Sequence, residues 1–148
     1  MQSQDIERYL HNHIPLSQAM GVQVLSATPD AVRLSAPLTP NLNHRATVFG
    51  GSASALAILA AWTLLHIRLE AEGINARLVI QSNTMRYQKA MAASFHAVAL
   101  APETVAWKKF THTLERKRRA RIRTGSVLEC GGVRAGELEG EFVAFLVR

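Results

Sequence analysis

The sequence predicts an α+β fold in which a curved antiparallel sheet wraps around one long central helix. Two observations carry that prediction. A helical stretch from Ala53 to Ile67 has almost no polar face, and pairs of β-forming segments meet at short turns. A helix apolar on all sides must be enclosed by protein. Antiparallel hairpins supply a sheet that can enclose it.

Taken in order, Asp5 to Ile14 reads as a short amphipathic helix, which Pro15 ends or turns. Val22 to Ala27 and Ala31 to Ala36 read as strands, and Thr28-Pro29-Asp30 between them suits a hairpin. From Pro37 to Gly51 the residues are those of turns: Pro37, Pro40, Asn41, Asn43, then Phe49-Gly50-Gly51. The central helix follows, with Ser52 expected near its N-cap and Gly73 just past its end. Its many alanines let neighbouring backbone come close. Arg77 to Lys89 reads as a long strand and Ala93 to Ala101 as the next, with a break short enough for a hairpin. Glu103 to Arg118 fits a helix, or a strand with a turn. Ala120 to Cys130 and Val133 to Val147 flank Gly131-Gly132, a two-residue hairpin signal. Glu137, Glu139 and Glu141 alternate with Leu138, Gly140 and Phe142, the period of a half-buried strand.

The 148 residues, 48% of them hydrophobic and without repeats or linker-like tracts, form one domain spanning 1–148. The single cysteine, Cys130, excludes an internal disulfide and a cysteine-based zinc site, and it suits a reducing, cytoplasmic home. The polar N-terminal residues do not resemble a secretory signal. The most apolar run, Ala53 to Leu65, falls short of the roughly 20 residues of a membrane span, which leaves no membrane role. The histidines form no convincing metal-ligand set, so no metal or other cofactor is expected, and His11 and His13 read as surface polar groups.

Net charge is +6, and six of the 17 basic residues fall in one run: Arg116, Lys117, Arg118, Arg119, Arg121 and Arg123. The remainder of the chain is balanced. The positive charge is therefore local, and so is the anion it suits. The run has no interleaved aromatics and no accompanying recognition motif, which speaks against nucleic acid. No serine sits in a nucleophile elbow, because Gly51-Ser52-Ala53-Ser54 lacks the second glycine.

Two stretches carry a resemblance. Asn41-Leu-Asn43-His44-Arg-Ala-Thr-Val-Phe49-Gly50-Gly51-Ser52 precedes the buried helix, and Val79-Ile-Gln81-Ser-Asn-Thr-Met-Arg86-Tyr87-Gln-Lys89 forms the long strand. With the element order, they resemble the hotdog fold of acyl-CoA thioesterases and dehydratases. The resemblance is nearest to the thioesterase-like domain found fused behind GNAT-type acetyltransferases, and it covers nearly the whole chain. It implies an acyl-CoA or acyl-carrier-protein thioester as substrate. It also implies a homodimer or homotetramer whose active site lies between a helix N-terminus and the partner's long strand.

On that reading the Gly50-Gly51 turn matters chemically. A helix N-terminus presents unpaired amides and the positive end of the macrodipole, and glycine lets a ligand approach them. A thioester carbonyl docked at the Gly51 and Ser52 amides would be polarised as in an oxyanion hole. The plainer alternative is that both glycines only form the turn into the helix. His44 could act as general base on water or only shape its loop. Asn43 could orient water or the carbonyl, or form a turn. Phe49 reads as core or pocket wall, and Ser82 and Asn83 as substrate contacts, though alternation puts them on opposite strand faces. Arg116, Lys117, Arg118 and Arg119 are candidate ligands for coenzyme A phosphates, or a solvated face.

Many hotdog thioesterases activate water with an Asp or Glu on the central helix or the facing strand. This chain has no acidic residue from Ala31 to Leu69, nor from Gly73 to Pro102. A carboxylate-activated mechanism is therefore excluded. Water held by His44, Asn43 and polar strand groups remains, as does a non-catalytic acyl-CoA binding or regulatory module.

Overall fold

The computed structural model describes residues 2–147. Helices α1 (Ser3–His13) and α2 (Pro15–Ala19) lead into strands β1 (Gln23–Ala27) and β2 (Ala31–Ala36), a 3-10 turn at Thr39–Asn41, and helix α3 (Gly50–Ala71). Strand β3 (Ala76–Tyr87), strand β4 (Phe95–Leu100), helix α4 (Thr104–Lys117) and strands β5 (Arg119–Cys130) and β6 (Val133–Leu146) complete the chain. The strands form one six-stranded sheet in the order β1-β2-β4-β5-β6-β3, with every pairing antiparallel. This is the hotdog arrangement.

Helix α3 is the axis of the core. Leu56, Ala57, Ala60, Ala61, Leu64 and Leu65 are fully enclosed, and the helix packs against β2 to β6. Its alanines let the sheet come close enough for the Ser126 hydroxyl on β5 to donate to the Ala57 carbonyl at 2.7 Å. The helix has 22 residues and is long and apolar enough by composition to cross a membrane, but the sheet wraps it instead. Its C-terminus closes as foreseen. Gly73 takes a left-handed φ of 70°, and the Gly73 and Ile74 amides donate to the carbonyls of Glu70 and Leu69 at 3.0 and 2.9 Å, a Schellman cap.

Three expectations need correction. Strands β3 and β4 are not a hairpin, because β5 and β6 lie between them in the sheet. The connection instead crosses the head of α3, where buried Met91 accepts a hydrogen bond from the Val48 amide at 2.8 Å. The N-cap of α3 is Phe49 rather than Ser52, and no side chain caps it. His11 is no free surface group, since its Nε2 lies 2.8 Å from the Val22 carbonyl oxygen. The segment left open at Glu103 to Arg118 is a helix. Trp107, Phe110 and Leu114 bury one of its faces, and Arg118 ends it in a left-handed conformation at φ 65°.

Candidate active site at the head of the central helix

The loop before α3 is a closed hairpin of its own. Leu42 and Val48 bridge in antiparallel fashion, and the Phe49 amide donates to the Asn41 carbonyl at 2.7 Å. Asn43 is the hub. Its Oδ1 accepts from the Arg45 and Thr47 amides at 2.8 and 3.1 Å, and its Nδ2 donates to the Thr47 hydroxyl at 2.7 Å. Of the two roles the sequence allows for Asn43, these contacts are those of the turn. His44 stands exposed at the tip, and its ring makes no hydrogen bond among the described residues. From that tip the chain runs through Arg45, Ala46, Thr47, Val48 and Phe49 to the first residue of the helix.

At the base, Phe49 lies extended at φ −61°, ψ 135°, and helical geometry begins at Gly50. The first-turn amides of α3 have no intrahelical partner and no side-chain cap. Gly51 is solvent-exposed and Ser52 partly so. The glycines also make room for two aromatic rings. A Cβ at Gly51 would lie 2.3 Å from Phe49 Cε2, and one at Gly50 would lie 3.6 Å from Tyr87 Cε1. Phe49 is 56% exposed, so its ring lies over the head of the helix as an uncovered flap.

Strand β3 presents its two faces differently. A bulge between Ile80 and Ser82 resets the alternation. Met85, opposite buried Leu138, packs on the core, and Tyr87 reaches Gly50. Asn83 shares that helix-side face. Ser82 falls on the outer face opposite Glu141, so Ser82 and Asn83 do not converge. Glu137, Glu139 and Glu141 also lie on the outer face, and no carboxylate comes from the segments packed on the head of α3.

One turn beyond Gly51 the exposed side of α3 becomes apolar. Ala55, Ile58, Leu59 and Trp62, with Ile14, Leu16, Ser17 and Met20 of the α1–α2 region, line a groove of about 270 Å³. Trp62 is fixed there because its indole N–H donates to the Leu78 carbonyl at 2.8 Å.

Residues 3–146 match the family model described as "Putative thioesterase (yiiD_Cterm)". The chain belongs to this thioesterase family. A Chlorobaculum tepidum protein of unknown function is 26% identical and superposes with a TM-score of 0.92, covering 98% of this chain and 94% of that one. A Shewanella oneidensis structure described as a putative thioesterase is 24% identical at TM-score 0.86, covering 97% and 96%. A Pseudomonas aeruginosa protein described as a probable thioesterase is 16% identical at TM-score 0.85, covering 99% and 97%. These last two likenesses establish the fold.

Within this thioesterase-family chain the basic run stands apart from the helix head. Arg119 lies opposite Phe145, which lies opposite Arg77 near the start of β3, whereas Gly50 meets Tyr87 at the other end of that strand. Ten strand residues, roughly 33 Å, separate Arg77 from Tyr87. Within one chain, Arg116, Lys117, Arg118 and Arg119 are thus not brought together with Asn43, His44, Phe49, Gly50, Gly51 and Ser52.

Sequence reasoning missed Tyr87 as the contact of Gly50, because the bulge that sets its face has no local sequence mark. It also missed the groove, whose only signal was the spacing of Ala55, Ile58 and Trp62 on one helix face. A second apolar cavity, about 300 Å³, lies between α1 and the later turns of α3 and is lined by Ile6, Tyr9, Thr63, His66 and Ile67 among others. Thr63, fully buried, has no hydrogen-bond partner for its hydroxyl among the described residues. The His66 ring stacks between Tyr9 and Trp62, at 5.1 and 4.9 Å between centroids. Burial lowers its pKa from the usual 6.5, with Glu70 opposing and His13 adding to that shift.

Proposed function

We propose that the protein hydrolyses an acyl thioester carried by coenzyme A or by a carrier protein. One observation supports this most: the uncapped, glycine-lined head of α3 leads along the same helix face into an apolar groove. In that reading the thioester carbonyl oxygen accepts hydrogen bonds from the Gly51 and Ser52 amides, while the acyl chain lies along Ala55, Ile58 and Trp62. Donors aimed where negative charge develops contribute about 3–4 kcal/mol each to a barrier of this kind.

The attacking water loses a proton to the His44 imidazole as its oxygen bonds to the carbonyl carbon. The tetrahedral intermediate then collapses, the C–S bond breaks, and the imidazolium returns the proton to the departing sulfur. The products are a carboxylic acid and a free thiol. Asn43 positions His44 by holding the loop, Phe49 covers the reacting ester, and Asn83 offers a polar contact from the helix side of β3.

The reading requires a second copy of the chain. Strand β3 ends the sheet with 12 residues along a free edge, and an edge of that length is a template for strand pairing. Twofold pairing through β3 is antiparallel. It would set the second copy's basic end beside this chain's helix head, which is how Arg116, Lys117, Arg118 and Arg119 could approach coenzyme A phosphates.

The test is thiol release from octanoyl-coenzyme A, with mass measured by light scattering. Turnover by a dimer or tetramer, reduced at least tenfold by His44→Ala, supports hydrolysis. A second reading, a module that binds the thioester without cleaving it, is favoured because, among the described residues, no carboxylate stands at the helix head and nothing hydrogen-bonds the His44 ring. Saturable binding with no thiol released would select it.

A further inference from the structure

The outer face of the sheet sorts its charge by position. Across β3, β6 and β5 its rungs read Arg77–Phe145–Arg119, then Val79–Val143–Arg121, then Ser82–Glu141–Arg123, then Thr84–Glu139–Gly125, then Arg86–Glu137–Val127. At the far end the charges compensate: Arg123 lies 3.9 Å from Glu141, and Glu137 takes both Arg86 and Arg134. At the near end they do not. Arg77, Arg116, Lys117, Arg118, Arg119 and Arg121 are exposed and have no carboxylate within salt-bridge distance among the described residues. The sheet portion of this patch spans two rungs by three strands, roughly 7 by 10 Å.

Its centre is apolar. Phe145 is 39% and Val79 50% exposed, and the Arg119 guanidinium lies 5.4 Å from the Phe145 ring centroid. An aromatic and a β-branched side chain ringed by arginines have the composition of a protein-docking hot spot.

We propose that this face docks an acidic protein helix, and that the substrate is therefore an acyl chain on an acidic carrier protein. The inference rests on the hydrolysis reading above. A patch about 10 Å across matches two turns of helix presenting carboxylates around an apolar side chain. A nucleic acid duplex or an anionic membrane would extend past the patch onto the charge-balanced far end, where Glu137 and Glu141 already pair with Arg86, Arg134 and Arg123 and leave no net attraction. Free coenzyme A phosphates have no use for the Phe145–Val79 centre. With two copies joined through β3, the docked carrier sits on one chain at the end of the seam where the other chain's α3 begins.

The experiment compares wild type with the double variant Arg77→Glu, Arg121→Glu, both exposed positions on the outer sheet face, with light scattering to confirm that the variant keeps the wild-type assembly. Hydrolysis is followed on octanoyl carrier protein, octanoyl-coenzyme A and S-octanoyl-N-acetylcysteamine, and binding of fluorescently labelled holo carrier protein is measured in parallel. The expected result is a fall of about tenfold or more in kcat/KM and affinity for the carrier protein, weakened in wild type by salt, with the small thioester unchanged. The charge-neutral pair Arg77→Gln, Arg121→Gln gives a smaller fall in the same direction. Equal losses on carrier protein and coenzyme A would overturn the proposal in favour of phosphate recognition. Undiminished carrier binding by the variant, or tighter binding of a 20-base-pair duplex or of anionic vesicles than of carrier protein, would also overturn it. If wild type releases no thiol even from the small thioester, the hydrolysis reading fails, and the binding arm still decides the docking face.

Discussion

The Tyr87 hydroxyl donates to the carbonyl oxygen of Gly50 at 3.3 Å, so the end of strand β3 is tied to the first residue of the central helix. The two glycines at that point answer to different neighbours. A methyl group at Gly50 meets Tyr87 at ordinary contact distance, whereas one at Gly51 must displace the Phe49 ring. Gly50→Ala should leave stability within about 0.5 kcal/mol of wild type and turnover within threefold. Gly51→Ala should reduce turnover at least tenfold while thermal unfolding shifts little. Partial recovery in Gly51→Ala, Phe49→Ala would assign the loss to the ring.

Asn43 and His44 are adjacent but should separate cleanly in mutagenesis. Asn43→Ala removes three short hydrogen bonds from the loop and should destabilise the protein by about 1–3 kcal/mol. Urea unfolding measures this. His44→Ala breaks no hydrogen bond among the described residues and should leave the urea midpoint unchanged while thiol release falls.

Thr63 buries a hydroxyl that has no hydrogen-bond partner among the described residues. Valine has the same shape without the polar atom, so Thr63→Val should stabilise the fold by about 1 kcal/mol. An unchanged or lower melting temperature would show that this hydroxyl has found a partner, such as a water in the neighbouring cavity.

His66 gives the fold a pH dependence of known sign. Its folded pKa lies below the 6.5 of the free side chain because burial disfavours the imidazolium. The unfolded chain therefore binds more protons between the two values. Stability is complete above pH 6.5 and falls as the pH drops through the folded pKa. Urea midpoints between pH 7.5 and 5 should decline for wild type and flatten for His66→Gln.

The parts of the fold legible in the sequence were those set by near neighbours. The apolar run of α3 announced an enclosed helix, Gly73 its end, and Gly131-Gly132 the β5–β6 hairpin. The partner of β3 was not legible. Its seven-residue link to β4 looked like a hairpin, but the pairing with β6 joins Ala76 to Leu146 across most of the remaining chain. No local propensity reports such a distant choice. The bulge after Ile80 hid which strand face looks inward for the same reason. At the candidate site, Gly50 and Gly51 were legible as the entry to the helix, while Tyr87 and the Ala55–Trp62 groove depended on tertiary placement. The basic run was visible as charge. Its apolar centre was not, because Phe145 and Val79 reach it only through strand pairing.

The bond from Trp62 to the Leu78 carbonyl joins the groove wall to the unpaired rim of the sheet. Any second molecule that docks along that rim must alter the surroundings of this indole, whereas Trp107, bonded to Glu72 near the opposite end of α3, is 96% enclosed and shielded from the event. The protein thus carries an intrinsic optical gauge of its own assembly, and intrinsic fluorescence followed on dilution would read association and groove occupancy from one side chain.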